Sequence, residues 1–186
     1  MVLAVAFLGG SDEDVVSRLH VRFDEHDFIV RSCMNVVGSS NEAGLATIRY
    51  RYRTENPRVL PNGSYSGSIV FELGDITVNV PRTIGWPQMS EIDRARAEAL
   101  RRAIIHHEIG HVRVAETVRD ALNAHTTTIV EPDASAFRAE LESEGQAGFE
   151  RFMREERAYD ALTDHGRRQH VAPPPLSGPD TALQCS

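Results

Sequence analysis

The sequence predicts an α+β fold, with a sheet in the first half of the chain and two long helices in the second. Residues 1–86 alternate apolar and polar side chains with a period of two, whereas residues 90–165 follow the helical period. Segregated strands and helices are typical of α+β domains. A chain of 186 residues is long enough for one domain with a substantial core. We therefore expect a single domain over residues 1–170 and a Pro-rich tail over residues 171–186.

The first half contains segments that predict an antiparallel sheet. Residues 21–31 (VRFDEHDFIVR) and 45–53 (LATIRYRYR) alternate apolar or aromatic residues with charged ones, as half-buried antiparallel strands do. The segments SIVFEL and ITVNVP are separated only by Gly74 and Asp75, a pair that is typical of a hairpin turn. The preceding stretch 61–67 (PNGSYSG) is predicted to be a loop because of its Pro, Asn, Gly and Ser content.

Two long helices are predicted after residue 90. Ser90, followed by Asp93, matches a capping box, and the helix that it opens can continue to about Asn123. The second helix starts after the Glu-Pro pair 131–132, because proline suits a first helical turn. It then runs through DASAFRAELESEGQAGFERFMREERAYDAL, where two internal glycines weaken the pattern.

The N-terminal residues MVLAVAFLGGSDEDV raise a question about targeting. Their apolar run ends in small residues, as a signal peptide does, but it lacks a basic n-region, so we favour a first strand over a truncated signal peptide. Cys33 and Cys185 are too far apart in sequence to form a metal-ligand pair, and both a disulfide and two separate thiols remain open.

Composition excludes some classes of protein. The formal net charge is -7, and the arginines are scattered along helical segments, whereas a nucleic-acid surface would cluster basic residues. No run of 18 apolar residues is present, so no transmembrane helix is predicted. The oligomeric state is not indicated.

The motif helix contains IIHHEIGHVRVAE, in which His107, Glu108 and His111 match the pattern H-E-x-x-H. The spacing of four residues places the two imidazoles on one face of a helix, where they can share a metal ion. The glutamate lies one residue further round the helix, within reach of a water molecule on that metal. The pattern therefore indicates a zinc site with a general base.

The residues around the motif place both histidines on the buried side of the helix. They belong to an apolar stripe at helical spacing, formed by Ala99, Ala103, His107, Gly110, His111, Val114, Val118 and Ala121. Buried imidazoles need partners, and one metal ion satisfies both, although two hydrogen-bonded core histidines are the alternative. A glycine inside a helix costs about 1 kcal/mol relative to alanine, and it allows close approach of a backbone or ligand.

A catalytic zinc site normally has three protein ligands and one open position, so a third ligand must come from another segment. The chain after His111 does not continue as a metzincin motif. Two candidate segments remain from the residues alone. One supplies carboxylates, namely Glu131, Glu140, Glu142 and Glu144, most of which are expected to be a solvated helix face. The other is AYDALTDHGRRQH, in which His165 precedes a glycine at the predicted end of the second helix.

Three elements in order resemble the bacterial family of predicted secreted Zn-dependent proteases, catalogued as domain of unknown function 922. They are the Pro and Trp of residues 81–86, HHEIGH at 106–111, and YDALTDHG at 159–166. The resemblance covers approximately residues 20–170 and implies a zincin-like fold, a Zn²⁺ cofactor, a peptide or protein substrate, and a secreted or periplasmic location. It also singles out His165 as the third ligand. Asp160 is then either an acceptor that orients a ligand histidine or a ligand itself.

Other candidate residues carry weaker expectations. Tyr159 is a possible oxyanion donor or a core residue, and His106 is expected at the surface or behind the ligands. His125 and His170 are expected in loops, with His170 as a reserve ligand, and Trp86 is expected to pack the motif helix against the sheet.

The sequence therefore predicts a zinc metalloprotease in which His107, His111 and His165 bind Zn²⁺ and Glu108 is the general base. Two alternatives remain open. In the first, the chain is a non-catalytic binding or structural domain on a zincin scaffold, with the metal absent or purely structural. In the second, it is a zinc hydrolase of non-peptide amides. The sequence does not indicate the substrate or its cleavage specificity.

Overall fold

The computed structural model of the chain describes residues 11–32, 35–37, 44–84 and 90–163. The elements in these ranges are α1 (Asp12–Arg18), β1 (Arg22–Ser32), β2 (Asn35–Val37), β3 (Leu45–Val59), β4 (Tyr65–Ile84), α2 (Glu91–Ala124), β5 (Thr128–Glu131) and α3 (Ala134–Thr163). Strands thus dominate the first half and helices the second, which confirms the α+β prediction. The short elements α1, β2 and β5 have no counterpart in the sequence patterns. Of the segment MVLAVAFLGGSDEDV, for which we favour a first strand, residues 1–10 lie outside the described residues, whereas Asp12–Val15 belong to helix α1. Both cysteines and the Pro-rich tail also lie outside the described residues.

The sheet is mixed, so the predicted antiparallel arrangement is wrong in part. Its strand order is β2-β1-β4-β3, with β5 also paired to β4. β1 pairs with β4 in parallel, with Arg22 opposite Thr77 and Ile29 opposite Ile84, whereas the β1–β2 and β4–β5 pairs are antiparallel. Alternating side chains specify a buried face but not a strand direction, because residues alternate between faces in both kinds of ladder.

Gly74 and Asp75 lie inside the 20-residue strand β4, so the predicted hairpin turn is also wrong. A Cβ atom at Gly74 would lie 3.2 Å from the carbonyl oxygen of Arg49 on β3, so glycine permits close contact with that strand. The Asp75 carboxylate lies 3.5 Å from Nη1 of Arg49 and 3.8 Å from Nη2 of Arg51. Pairing with β3 therefore overrides the local turn preference of Gly-Asp.

The chain reverses between β3 and β4 in a tighter loop than predicted. The Leu60 N–H donates to the Ser64 carbonyl at 2.7 Å, and Gly63 takes a φ of 84°, a value that favours glycine. β4 begins at Tyr65, so the loop ends within the predicted stretch 61–67.

Beside β5, two polar side chains continue the hydrogen bonding of β4. β5 pairs with residues Tyr65–Ser68. The Thr126 hydroxyl then donates to the Ile69 carbonyl at 3.1 Å. The Asn123 side chain accepts from the Phe71 N–H at 2.8 Å and donates to the Phe71 carbonyl at 3.0 Å. These bonds satisfy backbone groups of β4 that have no strand partner in β5.

The two long helices have nearly the predicted bounds. α2 ends at Ala124, one residue beyond the prediction. α3 begins at Ala134, because the Asp133 carboxylate accepts from the N–H groups of Ser135 and Ala136 at 2.8 and 2.9 Å and caps the helix. Pro132 therefore precedes the cap and is not in the first turn. Among the described residues, no helix has the length and apolar character to cross a membrane.

Two aromatic rings explain the glycines inside α3. A Cβ atom at Gly145 would lie 2.3 Å from Cε1 of Tyr52, and one at Gly148 would lie 2.2 Å from Cε1 of Phe71. The helix therefore packs its glycine positions directly on rings of β3 and β4. This close packing offsets the low helix propensity of the two glycines.

The chain forms two compact units, and each of β3, β4, α2 and α3 contributes residues to both. The first unit comprises Ile48–Asp75 and Arg113–Tyr159 among the described residues. Its core cluster consists of Ile69, Phe71, Val114, Val118, Ile129, Phe137, Leu141, Phe152 and Tyr159. The second unit contains the described parts of Gly9–Thr47, Ile76–Val112 and Asp160–Ser186. Its buried apolar residues are Val15, Val21, Ile76, Val78, Val80, Ala97, Ala99, Ile109 and Val112.

In the first unit, Tyr50 connects β3 to α3. Its ring stacks on Phe152 with centroids 4.0 Å apart, and its hydroxyl donates to Oε1 of Glu156 at 2.5 Å. Burial, and then the neighbouring carboxylate, raises the pKa of Tyr50 above its ordinary value. The hydroxyl therefore stays protonated and remains a donor.

Candidate metal centre

The motif helix α2 buries the H-E-x-x-H residues in the second unit. His107, Glu108 and His111 are 7%, 5% and 9% exposed, respectively. The predicted stripe is confirmed, because Ala99, Gly110 and both histidines are buried and Ala103 is half-buried. Ile109 and Val112, which lie outside that stripe, are fully buried as well. This segment is therefore enclosed on more than one side, and its polar groups are removed from bulk water.

Three side chains of the second unit converge. The Nε2 atoms of His107 and His111 lie 3.3 and 3.1 Å from Oδ1 of Asp160, and all three atoms lie within 4.8 Å of one another. The two imidazole rings are nearly perpendicular, at 81°, with centroids 4.9 Å apart. We call these three residues the His-His-Asp group, and they can hold a metal ion.

Two of the three donor separations are compatible with a tetrahedral metal ion, and the shorter of them is also a hydrogen-bond distance. Zinc binds imidazole nitrogen and carboxylate oxygen at about 2.0–2.2 Å, so tetrahedral ligand atoms lie about 3.3 Å apart. The two nitrogen–oxygen distances agree with that edge to within a few tenths of an ångström. Imidazole nitrogen and carboxylate oxygen are donors that several divalent metals accept, zinc among them.

Asp160 enters the group from the last turn of α3. That helix ends at Thr163, whose hydroxyl donates to the Asp160 carbonyl at 3.4 Å. The Asp160 side chain is 29% exposed, while both histidine side chains are close to 10%. The group is thus buried on the α2 side and more accessible at its carboxylate.

The predicted ligand His165 lies outside the described residues, so the structure leaves that prediction untested. Asp160 is predicted either as an acceptor that orients a ligand histidine or as a ligand itself, and its Oδ1 atom lies close enough to both histidines for either role. Residue patterns alone do not indicate this aspartate, which lies 49 residues beyond His111. The family resemblance indicates His165 first and includes Asp160 through its Tyr-Asp element.

The other carboxylates considered as ligands do not join the His-His-Asp group among the described residues. Glu140, Glu142 and Glu144 are exposed on α3, as expected for a solvated helix face. Glu131 is the last residue of β5 and lies opposite Tyr65 in the sheet.

The remaining candidates have structural positions where they are described. His106 lies on α2, with Nδ1 at 2.7 Å from Oδ2 of Asp12 in α1, and His125 is exposed just after α2. Tyr159 belongs to the core cluster of the first unit. Trp86 and His170 lie outside the described residues.

Comparison with known proteins places most of the chain in a protein family. The family model described as "Bacterial protein of unknown function (DUF922)" matches residues 37–166, a range that contains the whole His-His-Asp group. No curated protein and no solved structure matches the chain.

Proposed function

The chain belongs to the bacterial family DUF922, and we propose that it is a zinc-dependent metallopeptidase that hydrolyses peptide bonds. The observation that carries this proposal is the convergence of the His107, His111 and Asp160 donor atoms, together with the burial of Glu108, which follows His107 on the same helix. Three protein ligands and an adjacent carboxylate are what a catalytic zinc site of the H-E-x-x-H type requires. The zincin-like character of the fold is part of the same proposal.

Each residue has a distinct role in the proposed reaction. Nε2 of His107, Nε2 of His111 and Oδ1 of Asp160 would hold the ion. When bound, zinc would supply a lowered water pKa and polarisation of the scissile carbonyl. The Glu108 carboxylate accepts the proton of the attacking water and then delivers it to the nitrogen of the leaving amine. Burial of Glu108 strengthens its electrostatic interaction with charge that develops beside it.

The partial exposure of Asp160 supports a catalytic rather than a closed structural site. A structural zinc is enclosed by four protein ligands, whereas a catalytic zinc keeps one position open to water or substrate. The described residues supply three ligand side chains and one accessible edge at Asp160. The family resemblance implies His165 as the third ligand, and in this proposal Asp160 takes that place. Coordination by His165 in addition to Asp160 would close the site and favour the structural alternative.

The test is hydrolysis of a broad peptide library by the zinc-loaded protein, followed by mass spectrometry of the products. We expect cleavage by the wild-type chain and loss of cleavage by Glu108→Gln, with the zinc content of that variant unchanged. The variant keeps nearly the same shape and all three ligands but removes the proton acceptor.

Two results would contradict this proposal in different ways. Full activity of Glu108→Gln would show that Glu108 is not the general base. Zinc-loaded wild-type protein that cleaves no peptide would favour the structural-zinc alternative, or an amide substrate that is not a peptide. Secretion or a periplasmic location follows only from the family resemblance and is proposed with the function.

A further inference from the structure

Gly44 lies against the residue that we propose as the general base. It directly precedes β3 and belongs to the second unit, as do Ile104 and Glu108 on α2. A Cβ atom at position 44 would lie 2.5 Å from Cγ2 of Ile104, 2.8 Å from Oε1 of Glu108 and 3.1 Å from Cγ of Glu108. The first two distances are shorter than side chains tolerate, so an alanine here would displace one or both neighbours.

Space, rather than backbone conformation, is what requires glycine at this position. Among the described glycines, only Gly63 has a φ in the left-handed region, so the backbone of Gly44 is one that other residues adopt. A side chain at Gly63 would meet nothing within 4 Å, whereas one at Gly44 would meet the carboxylate itself. The two glycines therefore serve different physical purposes.

The helix geometry shows why this contact bears on the metal centre. Ile104 and Glu108 are four residues apart and share one face of α2, as do His107 and His111. At about 100° per residue, the two faces are separated by about 60° around the helix. Gly44 thus lies against the face of α2 next to the one that carries both histidines, so we expect displacement of the Glu108 carboxylate to change its distance from the reacting atoms.

We propose that Gly44 is a positioning residue, whose missing side chain leaves the space in which the Glu108 carboxylate keeps its working distance. The role in hydrolysis rests on the proposed function. The contact between Gly44 and Glu108 does not rest on the proposed function, because it exists in the chain without substrate. Gly44 acts through Glu108 and touches no reacting atom.

The experiment compares Gly44→Ala, Ile104→Ala, the double variant and Gly148→Ala. Ile104→Ala removes the contact at 2.5 Å but leaves the one with Oε1 of Glu108. Gly148→Ala introduces a steric conflict with Phe71 in the first unit, so it controls for a general loss of stability. The measurements are kcat, KM, zinc content, and the position of the Glu108 carboxylate in crystal structures of wild-type and Gly44→Ala protein.

We expect Gly44→Ala to lower kcat about ten- to hundredfold, because misplacement of a catalytic group by about 1 Å has effects of that size. KM should change less than about threefold, zinc content should stay at the wild-type level, and the carboxylate should move. Adding Ile104→Ala should not restore kcat, and Gly148→Ala alone should leave it close to wild type.

A Gly44→Ala structure with an unmoved carboxylate would overturn the proposal, and so would full recovery of kcat in the double variant. These outcomes differ from failure of the proposed function, in which the zinc-loaded wild type cleaves no peptide. In that case the crystal structures alone still decide whether Gly44 positions Glu108.

Discussion

Replacement of His107 should affect the metal site specifically. Its Nε2 atom lies 3.3 Å from Oδ1 of Asp160, and its side chain is almost fully buried. We expect His107→Ala to lose both zinc and hydrolysis, because two remaining ligands bind zinc much more weakly than three.

His125→Ala is the matched control, because that histidine is exposed in the segment after α2. It should keep the wild-type zinc content and activity. Metal analysis by mass spectrometry, with circular dichroism to confirm folding, compares the two. Equal zinc in both variants would exclude His107 as a ligand.

The residues of the candidate site differ in how far the sequence predicts them. His107, Glu108 and His111 follow from spacing, because the geometry of one helix determines their relation. Asp160 joins them only through the packing of α3 in the second unit, and no local pattern encodes that contact. Gly44 carries no signal either, since its contact with Glu108 appears only when strand and helix meet.

At the scale of elements, the packing of α3 depends on two glycines that differ in their neighbours. Phe71, above Gly148, is 6% exposed and has little space in which to move, whereas Tyr52, above Gly145, is 44% exposed. Overpacking costs about 1–3 kcal/mol, and alanine regains about 1 kcal/mol of helix propensity.

We therefore expect Gly148→Ala to lower the free energy of unfolding by up to about 2 kcal/mol. Gly145→Ala should change it by less than about 0.5 kcal/mol, because Tyr52 can turn outward and helix propensity offsets the contact. Urea denaturation of both variants measures the difference. A Gly145→Ala protein as destabilised as Gly148→Ala would show that the exposed ring is held as firmly as the buried one.

Asn123 stabilises β4 where β5 no longer pairs with it. Replacement by alanine removes two hydrogen bonds and leaves the Phe71 N–H and carbonyl without those partners. We expect Asn123→Ala to lower the free energy of unfolding by about 1–3 kcal/mol. Asn62→Ala, in the exposed loop before β4, should cost less than about 0.5 kcal/mol, and urea denaturation compares them. Equal stability of the two variants would mean that water replaces the Asn123 side chain without cost.

The elements that the sequence predicts best are those with a long regular pattern. α2 and α3 follow from helical periodicity over about 30 residues each. The error at Gly74 and Asp75 has a physical cause, because β3 supplies the close backbone contact and two arginines that keep this pair extended. The direction of β1 relative to β4 depends on the chain path, which alternation of side chains does not specify.

In the whole molecule, the proposed metal site is assembled from α2 and the end of α3 within one unit. The family match over residues 37–166 includes all three ligand candidates, Glu108 and Gly44. The match identifies the family. The proposed reaction is inferred from the geometry of the site, because fold and family alone do not define a reaction. The central claim is therefore that His107, His111 and Asp160 hold one zinc ion.

Zinc content of purified protein, measured by mass spectrometry after dialysis against zinc-free buffer, tests that claim most directly. We predict about one zinc ion per wild-type chain and far less in Asp160→Ala, because a catalytic site binds zinc through three protein ligands. Wild-type protein that contains no zinc and takes up none on titration would contradict the claim, and so would Asp160→Ala protein that retains the full complement.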